Sequence, residues 1–104
     1  MNTTKRVFWS QRSSAWHNFN WNAISAKSVV YISASEGELI SGPFDLANAI
    51  FHRRGDAVIC VKNINPHGAN GGGVEFFLEV NWHSPLDVTL DITILDPPES
   101  FERA

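Results

Sequence analysis

Val74-Glu75-Phe76-Phe77-Leu78-Glu79-Val80-Asn81-Trp82 and Leu86-Asp87-Val88-Thr89-Leu90-Asp91-Ile92-Thr93-Ile94 carry an apolar residue at every even position. Side chains of a β-strand alternate between two faces, so a period of two held over each run specifies a strand with one buried face. His83-Ser84-Pro85 is the short link between the runs. The two are therefore predicted to pair as an antiparallel hairpin, with Trp82 beside Leu86, Val80 beside Val88, Leu78 beside Leu90 and Phe76 beside Ile92. A slip of one residue would turn every one of these side chains to the other face.

Working outward from this pair, Ala57 to Ile64 reads as a third strand. Its Val58-Ile59-Cys60-Val61 stretch is apolar on both faces, which predicts a central position in its sheet. Ser28 to Ala34 and Lys5 to Ser10 read as further strands, and Glu38 to Ser41 as a short one, with Ser35-Glu36-Gly37-Glu38 as a tight turn. Gly42 to Phe51 is the one helical candidate, with Asp45 as its cap and Leu46, Ala49 and Ile50 at helical spacing. Asn65 to Gly73, with its Gly71-Gly72-Gly73 triplet, reads as a flexible hairpin loop. Ser10 to Lys27 shows no clean period and reads as a long loop. Two prolines after Asp96 take the tail, residues 97–104, out of the sheet. The fold expected is all-β, a small antiparallel sandwich, Ig-like in general architecture, with one short helix. A single sheet of this many strands would leave one apolar face in water.

The chain has 104 residues, of which 43% are hydrophobic and 18% charged. That is the composition of one globular domain spanning 1–104, with residues 1–27 as an aromatic-rich N-terminal segment. No apolar run approaches the roughly 20 residues that span a bilayer, so no membrane partner is expected. No apolar stretch follows the basic start, and Cys60 is the single cysteine, inside an apolar strand. Both point to a cytoplasmic protein. Charge is uneven. Residues 1–35 hold four basic and no acidic residues, while 36–104 hold all eleven acids and four basic residues. Such halves are expected to lie against each other. With a net charge of −3, nucleic acid is not an expected partner.

Trp9, Trp16 and Trp21 stand close together among Arg12, His17, Phe19 and several Asn and Ser residues. Aromatic faces stack on sugar rings and also anchor protein interfaces, and amide and guanidinium groups bond to polar edges. Trp9, Arg12, Trp16, His17, Phe19 and Trp21 are therefore the candidate ligand-binding residues. The competing reading is that these rings only close the core. Phe77 and Leu95, bulky residues at outward positions, are the candidate interface residues.

Glu75, Glu79, Asp87 and Asp91 are expected on the outer face of the hairpin as a solvated acidic patch. The four histidines, His17, His52, His67 and His83, lack zinc-motif spacing. Arg54-Gly55-Asp56 precedes a strand and reads as a turn. The glycine triplet lacks the lysine and hydroxyl residue of a phosphate loop. No nucleophile motif is present, so no catalytic residue, metal or cofactor is assigned. The function expected is a non-catalytic binding module, engaging a partner protein or a second copy through an aromatic surface. The alternative is a carbohydrate-binding domain using the N-terminal tryptophans. A further alternative is a small enzyme with a site at the loop end near His67 and His83.

Overall fold

A computed structural model describes residues 2–40, 49–69 and 71–104. Seven strands run in the order β1 (Thr3–Arg12), β2 (Ala15–Asn20), β3 (Val29–Ile40), β4 (Ala49–Arg53), β5 (Val58–His67), β6 (Gly73–Asn81) and β7 (Leu86–Leu95). They form a four-stranded sheet, β1-β7-β3-β4, and a three-stranded sheet, β2-β6-β5. All pairings are antiparallel. The two sheets pack face to face as the expected sandwich. The alternating runs supply its centre: Val74, Phe76, Leu78 and Val80 from β6 meet Val88, Leu90 and Ile92 from β7, with Ile32, Trp21 and Ile24. Phe76, Leu78, Val88, Leu90 and Ile92 have no exposed surface.

Several local expectations are corrected. The strands β6 and β7 are not a hairpin. Each has the predicted buried face, but they lie in opposite sheets, and His83 to Pro85 crosses between the layers. Two facing sheets and one folded hairpin demand the same period of two, so alternation alone does not distinguish them. β5 is an edge strand, not a central one. Its hairpin partner is β6, through a loop shorter than the predicted Asn65–Gly73. The predicted turn at Ser35–Glu38 lies inside β3, which runs through to Ile40. Of the helical candidate, Ala49, Ile50 and Phe51 belong to strand β4, and 42–48 lie outside the described residues. No helix occurs among the described residues, so none there is long and apolar enough to cross a membrane. The supposed Ser10–Lys27 loop holds the end of β1 and all of β2.

The glycine triplet is not a free tip. Gly72 and Gly73 are buried. Trp21 N donates to Gly72 O at 2.9 Å, and a Cβ on Gly72 would fall 2.2 Å from Ile24 O. These residues are glycine because two backbones approach closely there. β-Bulges interrupt the edge strands between Trp9 and Arg12 and between Lys62 and Asn65. Gln11 and Asn63 take left-handed backbone there, with φ of 54° and 52°.

Candidate functional site

The outer face of the three-stranded sheet is set by the pairing register. Outward positions include Trp16, Asn18 and Asn20 on β2, Gly73, Glu75, Phe77 and Glu79 on β6, and Cys60, Lys62, Asn65 and His67 on β5. Trp16 is 59% exposed and stands directly opposite Phe77, its ring edge-on at 5.6 Å and 77°. A large aromatic held by a neighbouring ring yet open to solvent is a surface ready to stack. Next along β2, Asn18 Nδ2 donates to Asn20 Oδ1 at 2.7 Å, and Asn18 Oδ1 accepts from His67 Nε2 at 2.6 Å. Beside them a cleft of about 440 Å³ is lined by Asn18, Asn20, His67, Ala69 and Glu75. Lys62 donates to Glu79 at 2.8 Å on the far side of the face.

The other predicted ligand-binding residues sit elsewhere. Trp9, Arg12 and His17 line the seam where edge strands β1 and β2 meet. Trp9 stacks on buried Phe76 at 6.0 Å and meets His17 at a tilt, centroids 4.9 Å apart, with the Arg12 guanidinium 5.3 Å from the Trp9 ring. Burial, and secondarily Arg12, hold the His17 pKa below its usual value. Arg12 Nε and His17 Nε2 have no hydrogen-bond partner among the described residues. Phe19 packs edge-on against Trp21, which is buried under Lys5. Of the six residues, Trp16 alone faces out from the sheet, and the other five close the sandwich. Of the two interface candidates, Phe77 lies beneath Trp16, and Leu95 is half-buried at the end of β7.

A second polar cluster, unseen in the sequence, lies on the outer face of the four-stranded sheet. Arg6 forks onto Asp91, Nε to Oδ1 at 2.7 Å and Nη2 to Oδ2 at 3.0 Å. Asp91 Oδ2 also bonds His52 Nε2 at 2.9 Å, and His52 Nδ1 lies 2.5 Å from Ser35 Oγ. The Arg6 hydrogen bond, with help from His52, holds the Asp91 carboxyl below the usual carboxylate range. Serine, histidine and aspartate in series have the order used in acyl transfer. Here the serine hydroxyl also donates to Glu36 O at 2.8 Å, and the aspartate is committed to arginine. The cluster instead ties strands together. Arg6 Nη1 donates to Ile50 O at 3.2 Å, and Thr89 Oγ1 to Phe51 O at 2.9 Å, so β4 reaches back across the outer face of β7. Gly37 permits this, because a Cβ there would lie 2.3 Å from Thr89 Oγ1.

The four acids expected as one patch are divided between the two outer faces: Glu75 and Glu79 on one, Asp87 and Asp91 on the other. The expected contact between basic and acidic segments takes the form of the Arg6–Asp91 pair. No cluster of three or more metal-ligating side chains occurs among the described residues. Comparison with family models, curated proteins and solved structures gives no match.

Proposed function

We propose that this protein is a non-catalytic binding module whose working surface is the outer face of the three-stranded sheet. The observation that carries the reading is Trp16, 59% exposed on the edge strand β2 of a regular sheet and braced by Phe77 on the central strand β6. Exposing an indole costs apolar burial, and it is supported here by rigid strands rather than a loop, as a recognition surface requires. The neighbouring polar side chains are already oriented by bonds to one another, which lowers the ordering cost of binding. A cytoplasmic setting fits the half-buried free thiol of Cys60. The test is indole fluorescence under titration of candidate ligands. A ligand for this face perturbs the emission of the native protein, and Trp16→Ala weakens its binding at least tenfold. A ligand bound equally well by Trp16→Ala refutes the reading.

A second reading, association with a partner protein or a second copy, is favoured by a different observation. The β3–β4 hairpin exposes Leu39 at 50%, Ile40 at 46% and Phe51 at 43%. Ile40 and Phe51 share one face of the hairpin and Leu39 lies on the other. Apolar groups on both faces of one element suit coverage by another chain.

A further inference from the structure

The cleft beside Trp16 is walled by side chains from all three strands of this sheet: Asn18 and Asn20 of β2, Glu75 of β6 and His67 of β5. Across the three strands, Asn20 pairs with Gly73, and Gly73 pairs with His67. Glycine at 73 lets the His67 ring lie over the middle of this row, since a Cβ there would fall 2.7 Å from Phe19 O and 2.9 Å from His67 Cε1. The ring thereby forms one side of a notch of about 440 Å³. That lies within the range of about 300–1,000 Å³ typical of small-molecule sites. A separate hollow of about 280 Å³, lined by Ser25, Lys27, Ser28 and Leu95 among others, has no aromatic wall.

The polar groups around the notch alternate in character. Asn20 Oδ1 accepts from Asn18, so its Nδ2 is directed elsewhere as a donor. His67 Nε2 donates to Asn18 Oδ1, so that ring nitrogen is already engaged. Glu75 supplies two acceptor oxygens. Sugar hydroxyls donate and accept at once, and neighbouring hydroxyls on a ring match such an alternating set. Trp16 and Asn18 are successive outward residues of β2, about 7 Å apart along the strand. The indole therefore stands one ring-width from the amides, placed to cover the C–H face of a ring whose hydroxyls reach the notch. Among the described residues that line the cleft, Glu75 is the one carboxylate, and the nearby Lys62 is engaged by Glu79. This arrangement disfavours phosphates and acidic sugars.

We propose that the notch binds one neutral pyranose unit of a glycan, stacked on Trp16 and held through its hydroxyls by Asn18, Asn20 and Glu75. The proposal rests on the outer face being the working surface and adds the ligand class. The experiment is a panel of neutral and sialylated oligosaccharides against the full chain, followed by calorimetric titration of hits with wild type, Trp16→Ala, Asn18→Ala and Glu75→Gln. Circular dichroism confirms that each variant is folded. A neutral glycan is expected to bind, to be displaced by its methyl glycoside, and to lose at least tenfold in affinity with Trp16→Ala and with Asn18→Ala. Sialylated counterparts bind at least tenfold more weakly, and Glu75→Gln narrows that gap. A glycan sensitive to Trp16→Ala but indifferent to Asn18→Ala and Glu75→Gln removes the notch from the account and leaves the working face intact. No glycan bound at millimolar concentration, with a protein partner lost on Trp16→Ala, overturns the saccharide and keeps the face. No glycan bound and no ligand sensitive to Trp16→Ala overturns both.

Discussion

Trp16 and Phe76 are one position apart across a strand pair, and they separate the two jobs of this sheet. Phe76 has no exposed surface and carries the contact with Trp9 at the heart of the core. Its truncation to alanine removes buried area and leaves a cavity, with an expected loss of about 3–5 kcal/mol in urea-denaturation stability. Trp16→Ala loses an edge contact with Phe77 on a solvated face and is expected to cost about 1 kcal/mol or less. A comparable loss for both would mean that Trp16 is structural. At this scale much was legible. Alternation marked Phe76 and Leu78 as buried and Phe77 as outward. What composition could not do was divide the aromatic cluster of β1, β2 and Trp21. Five of its six candidate residues seal the sandwich and one faces out, and that division depends on register. The notch was hidden for a similar reason. Asn20 and His67 flank Gly73 only in the fold, and 46 residues of chain lie between those two.

The β3–β4 hairpin shows how an element can be misread from its glycine. Gly37 suggested a turn, yet the strand continues and the glycine serves close approach to Thr89. Replacing Gly37 with valine should lift β4 from β7 and cost about 1–3 kcal/mol by overpacking, or more if the hairpin detaches. Thr89→Val should cost about 1 kcal/mol by leaving Phe51 O without its donor. Because both act on one contact, the double variant is expected to lose less than the sum of the two, measurable by a denaturation cycle. Strict additivity would separate Gly37 from the latch. Asp91 joins the same elements and gives them a pH dependence. Its pKa is depressed in the folded chain, chiefly by Arg6. Its contribution is therefore complete above the unfolded carboxylate value of about 4 and is lost as pH falls through the lower folded value. Thermal midpoints should drop below about pH 4, and Asp91→Asn should flatten that acid limb while lowering the midpoint at neutral pH. An acid limb identical in the variant would place its origin elsewhere.

For the whole molecule, the sandwich was legible because several amphipathic strands in a short chain have few ways to bury one face each. The strand order was not, since pairing partners come from distant segments: β7, the next-to-last stretch of the chain, lies between β1 and β3. At this scale the exposed Ile40 and Phe51 give a direct prediction for the second reading. If the hairpin mediates assembly, light scattering should show a mass that rises with concentration and returns to 11.6 kDa in Phe51→Asp. A constant monomeric mass for the native chain across the range would confine recognition to the opposite face. The crossing of β6 to β7 also has a kinetic side. Of the six connections, four pass from one sheet to the other and two, β3–β4 and β5–β6, join neighbours in the same sheet. The chain can form few native pairs before distant segments meet, so loop closure is met early and rewarded late. Refolding should fall in the millisecond-to-second range of high-contact-order β domains. Until β7 inserts between β1 and β3, all three present unpaired edges. The interval before that insertion is when the chain is most open to aggregation, and a chaperone would act best there.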